Sequence, residues 1–271
     1  MKRVVVTGMG GICSLGEGWK RVRDALVAGR SGVVARPDWD FLDGLQTRLA
    51  APVPDFEPPP AWPRKKTRTM GRASAMAVRA SELALCDAGL LDAPQLHDGS
   101  TGIAYGSTAG SPAALQAWAE RFYAKQSLSG IGANEYIRFM SHTCAANLAQ
   151  FFEVRGRVLP TCSACTSASQ GLGLAYEAIK HGQQQVMVAG GAEELGLIDV
   201  AIFDILFAAS TRNDDPQSTP RPFDAARDGL VCSEGACTFV LEEREHALAR
   251  GARIYAELLG FATNCDGRHM T

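Results

Sequence analysis

Residues 158–171 read Val-Leu-Pro-Thr-Cys-Ser-Ala-Cys-Thr-Ser-Ala-Ser-Gln-Gly, with cysteines at 162 and 165. An apolar, strand-like opening runs into small residues and then into a helical pattern over residues 167–181, with Leu172, Tyr176 and Ile179 on one side and Gly182 as its stop. Cys165 falls at the junction. A strand that turns sharply into a helix pushes one side chain outward and points helix amides towards it. A helix N-terminus carries about half a positive charge, which favours a thiolate placed against it. The small neighbours Ser163, Ala164, Thr166, Ser167 and Ala168 leave room for a substrate, and Gly171 and Gly173 allow close packing of the helix on other backbone. From the residues alone, a cysteine merely packed under a helix start fits at least as well. Cys162, in the strand, is expected to be inert.

The same alternation of strand and helix extends outward. Residues 4–6, 102–105, 186–189, 237–241 and 254–259 are short apolar or β-branched runs, the pattern of strands buried on both faces. Residues 73–88 and 242–249 read as helices, the first stopped by Gly89, the second by Arg250–Gly251. The glycines at 8, 10 and 11 are read as ending the first strand. Strands alternating with helices imply an α/β layered fold. Residues 38–63 are dense in proline, which precludes regular helix, and read as a surface loop; residues 210–228 read as a second long polar loop.

The chain has 271 residues, 46% hydrophobic and 21% charged, ordinary for a globular protein and incompatible with general disorder. A net charge of −2 gives no bulk attraction to nucleic acid. No apolar run approaches the length of a membrane helix, and the N-terminal run is too short for a signal peptide, so a cytoplasmic protein is expected, with no membrane or nucleic-acid partner. Cys162 and Cys165 form the single C-x-x-C spacing among eight cysteines, without a second pair or a nearby histidine, so no metal is expected. The glycine spacing after the first strand is not G-x-G-x-x-G, which argues against a dinucleotide site.

The segment SACTSASQGLGLAYEAIKHG (163–182) resembles the active-site region of the β-ketoacyl-acyl-carrier-protein synthases, the condensing enzymes of fatty-acid and polyketide synthesis. VVVTGMGGICSLG (4–16), GGAEE (190–194), STRNDDPQSTPRPFDAARDGLVCSEGA (210–236) and VLEEREHALARGARIYAELLGF (240–261) are similar to further family blocks in the same order. The resemblance implies the thiolase-like α-β-α-β-α layered fold of two similar halves. Residues 1–250 would form the first half and residues 251–271 the opening strand of a largely missing second half. A half-fold of this kind would expose a wide apolar face.

It also implies a function: decarboxylative Claisen condensation of an acyl-Cys165 thioester with malonyl-acyl-carrier protein in fatty-acid elongation, with no cofactor. A polyketide ketosynthase, a non-condensing relative, or a fragment that only binds carrier protein are the alternatives. The family's two catalytic histidines lie in His-Gly-Thr and Gly-His settings, and none of His97, His142, His181, His246 and His269 has such a setting. One oxyanion donor would be the Cys165 backbone N–H. By the same resemblance Phe203 and Thr271 line the substrate pocket, His269 is structural or channel-lining, and residues 139–147 around Cys144 lie near the interface of a homodimer and line the distal acyl pocket. Arg64, Lys65, Lys66 and Arg68, with Arg121 and Lys125 as helpers, would dock the acidic carrier protein.

Overall fold

The computed structural model describes residues 1–132 and 134–268; the expectations for His269 and Thr271 lie outside them. In chain order the elements are β1 (Val4–Cys13), β2 (Gly16–Glu17), α1 (Trp19–Val27), β3 (Val34–Ala35), β4 (Leu49–Ala50), α2 (Arg64–Thr67), α3 (Arg72–Asp87), β5 (Thr101–Gly106), α4 (Pro112–Lys125), α5 (Glu135–Phe139), α6 (Thr143–Phe152), β6 (Val158–Thr161), α7 (Ser167–Lys180), β7 (Val186–Glu193), α8 (Leu197–Ile205), β8 (Gly235–Glu243), α9 (Arg244–Ala249) and β9 (Ala256–Leu258).

The main sheet runs β2-β1-β8-β7-β5-β6, with β9 also paired to β1. β5 is parallel to β6 and β7, whereas β8 is antiparallel to both β7 and β1. Both faces are covered, so the strands alternate between two cores. Val186 and Val188 join Met76, Leu85, Ile103 and Leu148 under α3 and α6. Met187 and Ala189 join Val4, Ala175, Ile179 and Leu241 under α7. This is the expected α/β layering, with one sheet between two helical layers.

β1 does not stop at its glycines; it continues to Cys13. A Cβ on Gly8 would lie 2.3 Å from the Ala84 carbonyl oxygen, and one on Gly10 2.3 Å from that of Ala80. The glycines let α3 lie almost in contact with the strand, and α3 meets them with the fully buried Ala77, Ala80 and Ala84. β8 likewise runs to Glu243, so α9 begins two residues later than the charge pattern indicates. β9 hydrogen-bonds to the first residues of β1.

The proline-rich residues 38–63 are not a surface loop. Trp39, Leu45, Leu49, Val53, Phe56 and Trp62 are all buried. Proline excludes helix but not an extended chain that lays side chains into a core. The Arg72 guanidinium donates to the Val53 and Phe56 carbonyls at 3.0 and 3.1 Å, and the Glu234 carboxylate accepts from Val53 N–H at 2.9 Å. Arg72 and Glu234 are themselves paired at 2.8 Å. Residues 210–228 do form the expected polar loop, tied at its ends where Asp228 accepts from the buried Ser210 hydroxyl at 3.0 Å.

Candidate active site

β6 ends at Thr161 and α7 begins at Ser167, so the intervening residues must reverse direction within five positions. Ala164 takes φ +50°, the left-handed region that a residue with a side chain seldom occupies, and this directs Cys165 out of the turn. Ser167, buried, holds the turn closed. Its hydroxyl donates to the Ala164 carbonyl at 2.6 Å and accepts from Ser163 N–H at 2.9 Å. Thr108, on the loop after β5, donates to the same Ala164 carbonyl at 2.9 Å. The Cys165 side chain is exposed, and its backbone N–H has no acceptor among the described residues.

Close approach of α7 to the sheet depends on missing side chains. A Cβ on Gly106 would sit 2.5 Å from the Ser167 carbonyl carbon, and one on Gly191 would sit 2.6 Å from the Ala168 Cβ. Gly171 rests on the Ala104 carbonyl, the backbone contact expected of it, whereas Gly173 leaves its space to a side chain, the Phe261 ring, and not to backbone.

Cys165 opens into a cleft of about 900 Å³ between α7, the ends of β1, β7 and β8, and α8. Phe203 of α8 lines the same cleft, so the structure brings these two residues together. The cleft also contains groups that sequence reading passed over: Trp19 and Val22 of α1, the carboxylates Glu193, Glu194 and Asp199, and the cysteines Cys13, Cys232 and Cys237. Burial pushes the Cys232 thiol up to about 11, helped by Asp199, and raises Cys237 as well, with Cys13 adding to it. Both are thereby held as thiols at neutral pH, and neither stands at a helix N-terminus. Cys162 is not in the strand; it lies one residue past β6, exposed, with its thiol 3.7 Å from the Thr108 carbonyl.

Burial pushes Asp199 up to about 6, with Glu193 and Glu194 adding repulsion. Glu193 is occupied: it accepts from Thr108 N–H, from Ala109 N–H at 3.3 Å and from the Ser107 hydroxyl at 3.4 Å. No histidine among the described residues lines the cleft. His246 instead pairs with the buried Glu242 at 2.7 Å, and His97 meets the Glu153 carbonyl at 3.2 Å. Cys144 is fully buried under α3 and does not line the cleft of its own chain.

The basic group divides. Arg64, Lys65 and Arg68 are exposed and form no ion pair among the described residues. Lys66 is turned inward, donating to the Phe151 carbonyl at 2.7 Å and pairing with Glu153 at 2.8 Å. Arg121 is clamped on Glu135. The Lys125 side chain lies outside the described residues.

The family model for the β-ketoacyl synthase N-terminal domain matches residues 1–247. The chain belongs to the β-ketoacyl synthase family. It is 35% identical over its whole length to 3-oxoacyl-[acyl-carrier-protein] synthase 1 of Haemophilus influenzae and covers 66% of that protein. Superposition on the crystal structure of a β-ketoacyl synthase from Burkholderia phymatum STM815 gives a TM-score of 0.95 at 55% identity, covering all of this chain and 66% of that one. A type II polyketide acyl-carrier protein in complex with its ketosynthase bound to the hexaketide is matched on the ketosynthase at 28% identity and a TM-score of 0.85, over all of this chain and 65% of that one. The β-ketoacyl synthase chain described here thus spans just under two thirds of the length of these relatives. Its three layers are the N-terminal part of the thiolase-like fold.

Proposed function

We propose that this chain carries the acyl-accepting site of a 3-oxoacyl-acyl-carrier-protein synthase, an acyltransferase of fatty-acid elongation. The observation that carries the reading is Cys165, thrust by the strained Ala164 turn from the N-terminus of α7 into a large, mostly apolar cleft. The Cys165 thiolate attacks the thioester carbonyl of an acyl-carrier protein. The C–S bond to the carrier breaks, the carrier leaves as its thiolate, and the acyl group remains on Cys165. The unoccupied Cys165 N–H and the helix dipole stabilise the oxyanion of the intermediate. Malonyl-carrier protein then loses carbon dioxide, its carbanion attacks the acyl-Cys165 carbonyl, and the thiolate is released.

Phe203 lies against the acyl chain in this reading. The described residues place no histidine at the cleft, so this chain's own contribution is acyl loading. Arg64, Lys65 and Arg68 offer an acidic carrier protein a positive surface, with Lys66 and Arg121 already engaged internally. The relative solved with its acyl-carrier protein supports that partner class. A homodimer belongs to the same reading, and α8 supports a covering surface of some kind: Ile198, Ile202 and Ile205 are at least half exposed along one side of it.

The test is transfer of a radiolabelled acyl group from acyl-carrier protein to the protein. The reading predicts a covalent acyl adduct on the wild-type protein and its loss in Cys165→Ala. Labelling of Cys165→Ala to the wild-type level would remove the nucleophile assignment.

A further inference from the structure

The cleft that receives the acyl chain is not uniformly apolar. Asp199 and Phe203 are four residues apart on α8 and both line it, so they share a helix face about one 5.4 Å turn apart. A chain held on Cys165 and lying along Phe203 therefore meets a carboxylate. Among the described residues, the Asp199 carboxylate pairs with no side chain, and its one favourable neighbour is the Gly196 backbone. A second observation points the same way. Glu194 is 6% exposed and lines the same cleft. Its Oε1 accepts from Ala113 N–H at 3.3 Å, but its Oε2 has no partner among the described residues. Glu194 is enclosed, its Oε2 out of reach of solvent and its carboxylate also beside the Ser111 hydroxyl and Ala73 N–H, and Glu193 is fully engaged, so Asp199 is the carboxylate left open to the cleft and short of donors. A plain alkyl chain would finish desolvating this acidic cluster and offer no hydrogen bond in return.

We propose that the acyl cleft selects chains bearing a hydrogen-bond donor, a hydroxyl or an amino group, which Asp199 receives with Glu194 behind it. This rests on Cys165 being the acyl acceptor and makes Asp199 a specificity-determining residue for that reaction.

The test is the rate of acyl transfer to Cys165 from carrier protein charged with straight chains of six to twelve carbons, each compared with its terminal-hydroxy and terminal-amino counterparts. At the length that fits, the wild-type protein should load one of the donor-bearing chains faster than the plain chain by roughly 10- to 100-fold, the usual worth of a hydrogen bond to a charged acceptor. Asp199→Leu should abolish or reverse that ratio, and the near-isosteric Asp199→Asn should keep part of the hydroxyl preference while losing the amino preference. A greater gain for the amino chain would identify a cationic substrate, and a greater gain for the hydroxy chain a neutral one. Plain chains loading as fast at every length, or a ratio unchanged in both variants, would overturn the proposal while leaving Cys165 in place. Failure of every chain to load would instead overturn the acyl-acceptor reading, and this inference with it.

Discussion

Replacing Gly106 with alanine should disable Cys165 without touching it. Gly106 ends β5 directly beneath the first turn of α7. The new Cβ would lie 2.5 Å from the Ser167 carbonyl carbon, 2.6 Å from its oxygen and 2.8 Å from Ala168 N. All three are backbone atoms, so no rotamer change relieves the clash. Reaching ordinary contact near 3.4 Å requires the helix start to move out by roughly 1 Å, an overpacking that costs about 1–3 kcal/mol. That shift acts on Ser167, whose hydroxyl holds the Ala164 carbonyl and Ser163 N–H, and so on the turn that aims Cys165. A displacement of about 1 Å at a reacting group can lower the rate by about 10²-fold. Urea denaturation reads the stability, and the rate of acyl transfer from acyl-carrier protein reads the geometry. The expected variant is folded, less stable, and slower by about two orders of magnitude. Wild-type stability with wild-type loading would show that α7 is not held against β5 in this way.

Breaking the internal clasp by Arg72→Met should cost about 3–5 kcal/mol, because it leaves the buried Glu234 carboxylate and the Val53 and Phe56 carbonyls without their partner; thermal denaturation checks it. Neutralising Arg64, Lys65 and Arg68 together should raise KM for acyl-carrier protein about tenfold at low ionic strength with kcat unchanged, and the difference should shrink as salt is added. The Asp199 carboxyl is raised to about 6 when folded, against an ordinary 3.8. The folded chain therefore binds a proton more tightly than the unfolded chain. Stability falls as pH rises between those values, by about 1 kcal/mol once partial exposure is allowed for. Asp199→Asn should remove that part of the slope when urea midpoints at pH 4 and pH 7 are compared.

Much of this was legible in order of sequence locality. The turn at Cys165 is written in one short stretch, because small residues between an apolar strand and a helix with glycines on its inner face admit few other local structures. α3 and α7 follow from alanine, leucine and glycine spacing, and β5 and β7 from apolar runs covered on both sides. What was not legible depends on partners far away in the chain. β1 reads as broken because glycine ordinarily weakens a strand, and only the approach of α3 explains Gly8 and Gly10. α8, LIDVAIFDI, has no polar face to mark a helical period, since one side meets a core at Val200 and another the cleft. The burial of Trp39 and Phe56 is hidden by the surrounding prolines. Asp199, Cys232 and Cys237 join Cys165 only through tertiary structure, and the carboxylates of GGAEE gave no sign in sequence of facing an acyl cleft.

The central claim is that Cys165 takes the acyl group. Octanoyl-carrier protein is incubated with the protein, which is then digested with trypsin and fragmented in the mass spectrometer. Cleavage after Arg157 and Lys180 leaves Cys162 and Cys165 in one peptide, so the modified sulfur is assigned from fragment ions. The account predicts an octanoyl thioester on Cys165, absent from Cys165→Ala and retained in Cys162→Ala. An octanoyl group on Cys162, Cys232 or Cys237, or none on the protein, would contradict it.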